Sequence, residues 1–185
     1  MKYNIIYADP PWQYNDKGCD GSAESKYPTM SLKQICDLPI KEQLEKDAIL
    51  FCWVTAPFLQ DAFEVIKAWG FKYTTIGFVW LKHYPSKKEF VKGLGHYTRG
   101  NAEFVLLGVK GSPKIINHSI CQVFESERRE HSRKPDELRE IISALVPPSY
   151  KKLEMFARTK HEDWDVFGNE VNKFEEIKRN QQRLI

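Results

Sequence analysis

An Asp-Pro-Pro-Trp tetrapeptide, residues 9–12, follows directly on an apolar run from Tyr3 to Ala8. A carboxylate placed there accepts hydrogen bonds. The main-chain carbonyl of Pro10 accepts them too, and two successive prolines fix the backbone that aims it. Two fixed acceptors side by side suit an amine whose nitrogen becomes tetrahedral and positive as it reacts, the inverse of an oxyanion hole. Trp12, or Tyr14 close by, offers an aromatic face on which a planar ring can stack. Asp-Pro alone is more often a plain turn after a strand. The full tetrapeptide at the exit of an apolar strand is a rarer combination, and it shifts the reading toward chemistry.

The elements that must position these groups can be read from periodicity and punctuation. Residues 3–8 form a buried strand, and residues 13–28 are a polar loop with Gly18, Gly21 and Pro28. Thr29 or Ser31 caps a short helix through about Leu38. Ala48 to Val54 is an unbroken apolar strand. Pro57 opens a helix that runs to Trp69 and ends at Gly70, with Phe58, Ala62, Val65, Ile66 and Trp69 on one face. Residues 72–81 and Glu103 to Val109 are two further strands. Lys134 to Leu138 opens a helix whose stripe is Leu138, Ile141, Ile142 and Leu145, closed by Pro147 and Pro148. Lys152 to Phe156 and Trp164 to Phe167 are strands, and a polar helix begins at Asn169. Alternating strands and helices predict an open α/β sheet, mostly parallel, with helices on both faces. In such sheets ligands bind beyond the carboxyl ends of the strands. No internal repeat divides the chain, so residues 1–185 are expected to form a single domain.

Composition narrows the setting. The 185 residues are 42% hydrophobic, enough for one packed core, and the formal net charge is only +3, so any affinity for a polyanion must come from local clustering. Such a cluster exists between residues 82 and 100: Lys82, Lys87, Lys88, Lys92 and Arg99 stand against the single acid Glu89, interleaved with Tyr84, Phe90, His96 and Tyr97. It reads as a flexible flap over nucleic acid, or as a long solvated loop. Arg128 to Lys134, including Arg133, is a second basic cluster that suits phosphate or simply an exposed turn. Cys19, Cys36, Cys52 and Cys121 form no C-x-x-C pair, and no metal site is expected. No signal peptide, membrane span, G-x-G-x-x-G or P-loop is present. The expected setting is the cytoplasm, away from membranes.

Taken together, the blocks Ala8 to Trp12, Tyr27 to Ser31, Leu50 to Thr55, Trp69 to Phe71, Val79 to Lys82, Gly95-His96, Gly108 to Pro113, Ser132 to Glu137, Lys152 to Arg158 and Gly168 to Glu170 make a pattern that covers nearly the whole chain. It resembles the β-class, circularly permuted adenine amino-methyltransferases, and especially the branch typified by the catalytic subunit of the eukaryotic messenger-RNA adenosine methyltransferase. The compact form looks like a bacterial or phage member.

The resemblance implies a Rossmann-like methyltransferase fold and transfer of a methyl group from S-adenosylmethionine to the exocyclic amino group of adenine, with DNA the preferred substrate. An RNA substrate and a catalytically silent nucleic-acid-binding partner subunit are the alternatives. Asp9, Pro10, Pro11 and Trp12 match the catalytic motif, with Asp9 and Pro10 on the target amine and Asp9 and Pro11 beside the cofactor. Glu154, Met155, Phe156 and Arg158 match the strand and loop that cradle the cofactor, and Asn169 with Glu170 match residues on its ribose. Lys110 matches a lysine at its amino-acid end, and Tyr27 lies in a loop gating the base pocket. Thr159-Lys160-His161 stands where larger relatives have Pro-His-Asn. Larger relatives have sequence before the catalytic strand that helps hold the cofactor adenine; only eight residues precede Asp9 here, so that contact is expected to be absent or supplied by another segment. A homodimer or an accessory specificity subunit is an expected partner.

Overall fold

The computed structural model describes residues 1–13, 28–85, 87, 89–93, 95, 97–130, 132–168 and 171. Its centre is a pair of strands buried on both faces. Along β1 (Tyr3–Ala8) and β2 (Leu44–Val54) successive side chains point to opposite sides of the sheet, and both sides are filled. Ile6, Ala8, Leu50, Cys52 and Val54 pack on one side with Ile35 of α1 (Leu32–Cys36) and Ala62, Val65 and Ile66 of α2 (Leu59–Ala68). Ile5, Tyr7, Ile49, Phe51 and Trp53 pack on the other with Leu138 and Ile142 of α3 (Glu137–Leu145). The unbroken apolar runs in the sequence are therefore two interleaved faces, each with its own helical cover.

Among the described residues, seven strands lie in the order β5-β3-β4-β2-β1-β6-β7, completed by β3 (Lys72–His83), β4 (Ala102–Lys110), β5 (Val123–Glu127), β6 (Lys152–Met155) and β7 (Asp165–Phe167). β4 alone runs against its neighbours; the other pairings, β1 with β2 and β6, β3 with β5, and β6 with β7, are parallel. The expected mostly parallel sheet with helices on both faces is what forms. No helix among the described residues is long and apolar enough to cross a membrane.

Several boundaries differ from expectation for local reasons. Ser31, not Thr29, caps α1: its hydroxyl accepts from the Gln34 amide at 3.3 Å while the Gln34 side chain accepts from the Ser31 amide at 2.9 Å, a reciprocal pair of the kind whose loss costs about 1 kcal/mol. Pro57 lies in a 3-10 turn that precedes α2. α3 begins at Glu137, because Pro135 disfavours helical geometry at Lys134. β3 extends to His83, so the basic connection is 84–101, and it is partly laddered: the Val91 amide bonds the Lys82 carbonyl at 2.8 Å and the Gly93 amide bonds the Gly100 carbonyl at 2.9 Å. β5 was not expected at all. It is an edge strand, largely exposed and carrying Glu125 and Glu127, so it has no continuous apolar signature. The polar helix expected from Asn169 lies outside the described residues.

Candidate active site

The chain leaves β1 toward β2, whereas it leaves β6 toward β7. Connections that diverge from adjacent parallel strands open a crevice at their carboxyl ends. Ala8 is paired with Met155, so Asp9 and Phe156, the next residues, emerge side by side at that crevice. Phe156 has φ 62°, a left-handed conformation costing about 1–3 kcal/mol for a bulky residue and found most often where a site over-determines the backbone. Gly168 stands where the β7 exit closes on it: a Cβ there would lie 2.5 Å from the Ala157 carbonyl oxygen. The Ala157 amide in turn donates to the Phe167 carbonyl at 3.1 Å.

Asp9 is partly exposed, and its Oδ2 accepts from Lys134 Nζ at 2.8 Å. Lys134 also lies 3.5 Å from Glu103, whose carboxylate pairs with Lys82. Burial by itself pulls the Lys134 ammonium down, but Asp9 and Glu103 outweigh it and hold its pKa above the ordinary value. For Glu103 burial pushes upward, and Lys134 with Lys82 bring it below the usual carboxylate range. Four groups of alternating sign, Asp9, Lys134, Glu103 and Lys82, thus form a row across the ends of β1, β4 and β3. Lys134 is a residue of this cleft to which the sequence reading gives no site role. In the sequence it belongs to a basic cluster, a helix start and the Ser132 to Glu137 block of the resemblance; its useful signal is its place directly before Pro135, which holds it extended in the loop facing the strand ends.

A second ionic group closes the floor. Arg139 of α3 grips Glu154 of β6 with both ends, Nε to Oε2 at 2.6 Å and Nη2 to Oε1 at 2.7 Å. Burial opposes the guanidinium charge, yet the Glu154 bonds raise its pKa, so Arg139 remains a cation. Asp136 joins Arg139, Arg133 and Arg129. Tyr7 lies below, its hydroxyl accepting from Trp53 Nε1 at 2.6 Å, and burial pushes its pKa so far up that it stays protonated. Asp9, Lys134, Arg139, Glu154, Phe156 and Arg158 all line one cleft with about 30 Å³ of free space, roughly one water's worth. A larger hollow of about 580 Å³, open to solvent between Met1, Tyr3, His161 and Asp165, does not include Asp9 in its lining.

The expected site residues therefore divide. Asp9, Glu154, Phe156 and Arg158 come together. The Pro10 carbonyl accepts from the Trp12 amide at 2.9 Å, so one of its two lone pairs is used within the turn, and the Pro11 carbonyl accepts from the Met30 amide at 2.9 Å. Trp12 needs correction as a stacking face. It is only 7% exposed, its ring stacks on Phe58 with centroids 5.5 Å apart, and its Nε1 donates to the Trp53 carbonyl. Met155 is buried against the α1 and α2 side and is not among the residues that line the cleft. Both oxygens of Glu154 are held by Arg139, so its first task is to order the floor.

Lys110 is also corrected. β4 is antiparallel to β2 and Lys110 pairs with Ala48, whereas Ala8 pairs with Cys52; Lys110 is therefore at the opposite end of the sheet from Asp9, where its ammonium donates to the Glu45 carbonyl. Two expected phosphate contacts are engaged internally, Lys82 by Glu103 and Arg133 by Glu130 and Asp136. Lys87, Lys92 and Arg99 are exposed on the basic connection, as is Tyr97. At the departure from the family pattern, the Thr159 hydroxyl and His161 Nε2 lie 2.9 Å apart, and burial, with Arg139 adding to it, keeps the His161 pKa below its ordinary value. Tyr14, Tyr27, Lys88, Asn169 and Glu170 lie outside the described residues.

Comparison with known proteins places these features in context. The profile of the MT-A70 family matches residues 3–170. The chain is 35% identical to the type II methyltransferase M.MunI of a Mycoplasma species over 94% of this chain and 81% of that protein. It is 31% identical to an N(6)-adenosine-methyltransferase MT-A70-like protein of Arabidopsis thaliana, and 31% identical to the human N(6)-adenosine-methyltransferase catalytic subunit METTL3. Each of those matches takes in 92% of this chain but only 24% and 28% of the plant and human proteins.

Proposed function

The chain belongs to the MT-A70 family, and from that premise we propose that it methylates the exocyclic amino group of adenine in DNA, using S-adenosylmethionine. One observation carries the reading: an Asp9 carboxylate at the β1/β6 crevice with one oxygen fixed by Lys134 and beside the strained exit of Phe156. The choice of DNA rests on the correspondence with a type II methyltransferase over 81% of its length, where the eukaryotic relatives are matched over about a quarter.

The residues present fit the cofactor. Two cations, Lys134 and Arg158, line the cleft and suit the carboxylate of a zwitterionic amino-acid end, and Phe156 to Arg158 form the wall where it would lie. When bound, S-adenosylmethionine supplies an electrophilic methyl group. The chain's task is to present a weak nucleophile to it. Asp9 accepts a hydrogen bond from the adenine amino group, and its charge offsets the positive charge growing on that nitrogen until the nitrogen gives up one proton to water. The second lone pair of the Pro10 carbonyl is the other acceptor. Lys134 keeps Asp9 oriented, and the Arg139–Glu154 clamp fixes the floor, so the reacting groups are held in line and proximity supplies much of the rate. An adenine within a duplex must first leave the stack, and the cations Lys87, Lys92 and Arg99 with Tyr97, all exposed, are the groups that hold the flanking strand in this reading.

An RNA substrate is the second reading, favoured by the 31% identity to the human catalytic subunit. Incubating the protein with tritiated S-adenosylmethionine and matched DNA and RNA oligonucleotides separates the two. Label in the adenines of DNA is the expected result; label in RNA alone transfers the assignment to RNA, and label in neither overturns it.

A further inference from the structure

Lys82 carries a basic motif that the sequence assigns to phosphate, yet its side chain keeps only 20% of its exposure and its ammonium pairs with Glu103. Glu103 starts the antiparallel strand β4 opposite Trp80, and its Oε2 is buried without a hydrogen bond, its cation there being Lys134 at 3.5 Å. The row rests on an aromatic floor. Lys82 Nζ is 4.8 Å from the Trp80 ring centre, Lys134 Nζ is 5.5 Å from that of Trp53, and the two indoles meet edge to face at 6.0 Å. Lys134 is thus shared between two acids, Asp9 at 2.8 Å and Glu103 at 3.5 Å, and what decides the sharing is how much of the Glu103 charge is already answered by Lys82. In a half-buried site such attractions are several times stronger than in water.

We propose that Lys82 is a positioning residue for methyl transfer, acting through Glu103 and Lys134 on the Asp9 carboxylate. It goes beyond the function proposed above while resting on it. Without Lys82, Glu103 draws Lys134 onto its open oxygen and away from Asp9, which then loses its fixed orientation. The position also explains why the row begins at β3: Lys82 is the root of the basic connection, its amide bonded to the Asn101 carbonyl at 3.0 Å and its carbonyl to the Val91 amide.

Lys82→Met, Lys82→Arg and the exposed Lys92→Ala are compared in steady-state methyl transfer to a DNA duplex at several salt concentrations. Lys82→Met lowers kcat about tenfold or more, on the scale of a small misplacement of a reacting group, and leaves the KM for DNA and its salt dependence unchanged; Lys82→Arg restores most of the rate. A raised KM with a shallower salt dependence and unchanged kcat, the pattern of a phosphate contact, overturns the proposal, as does no effect at all. A second measurement is independent of turnover: the Glu103 carboxyl carbon, followed by NMR, titrates at higher pH in Lys82→Met than in the parent and returns in Lys82→Arg. An unmoved titration overturns the proposal. If the parent protein labels no adenine, the proposed function fails, while the NMR result still decides the Lys82–Glu103 link.

Discussion

At the scale of the residue, Asp9 was legible because its neighbours are unusual: two prolines and a tryptophan behind an apolar strand. What each neighbour does was less legible, since a motif names residues but not the direction of their side chains. Trp12 points into the core, covered by Phe58 and tied to the Trp53 carbonyl, so its contribution is packing. Trp12→Ala is expected to lower stability by about 3–5 kcal/mol, as large buried aromatics do, seen as an earlier midpoint in denaturant unfolding. A variant that keeps the parent midpoint and loses only activity would show that the ring faces substrate after all. Lys134 was missed for the opposite reason. A lysine in a run of basic residues looks like a solvated surface, and only the fold, 125 positions from Asp9 along the chain, brings it to 2.8 Å from the carboxylate.

At the scale of the element, the apolar runs and the helix stripes were readable because burial on two faces or on one leaves a clear periodicity. Strand direction was not. Resemblance alone ties Lys110 to the cofactor, but β4 runs antiparallel to β2, and its end is then at the opposite end of the sheet from Asp9. β5 escaped because an edge strand with two acids and an exposed Val123 has little to distinguish it from a loop. The crevice depends on how β6 and β7 finish. Gly168→Ala places a methyl 2.5 Å and 2.7 Å from Ala157 main-chain atoms, which cannot yield as a side chain would. The expected cost is about 1–3 kcal/mol, together with weaker binding of S-adenosylmethionine measured calorimetrically. Unchanged stability and affinity would mean that the β7 exit does not brace the cofactor wall.

At the scale of the whole molecule, the ionic row ties stability to pH on both sides. Glu103 has a folded pKa depressed below its ordinary value of 4.5 by Lys134 and Lys82, against the pull of burial. Its contribution is therefore fully present above about pH 4.5 and is lost as pH falls through the depressed folded value. Lys134 has a folded pKa raised above 10.5 by Asp9 and Glu103, again against burial, so its contribution is fully present below that value and is lost as pH rises through the folded one. The part of the stability against urea that this row contributes is expected to be level between these limits and to fall outside them. Glu103→Gln flattens the acid limb; an acid limb identical to the parent's would remove Glu103 from the account. This linkage, like the pairing of β1 with β2 and β6, joins residues remote in sequence, and composition with a net charge of only +3 carries no trace of it.

The central claim is that the Asp9 carboxylate receives the adenine amine. Its most direct test is the amount of N6-methyladenine formed per minute in a DNA duplex, measured by mass spectrometry of the digested nucleosides, for the parent and for Asp9→Ala, with far-ultraviolet circular dichroism and cofactor affinity recorded for both. The account predicts an intact fold, retained cofactor binding, and a rate lower by about 10² or more, the scale of losing one preorganised hydrogen-bonding group. An Asp9→Ala protein that forms the product at the parent's rate would contradict it.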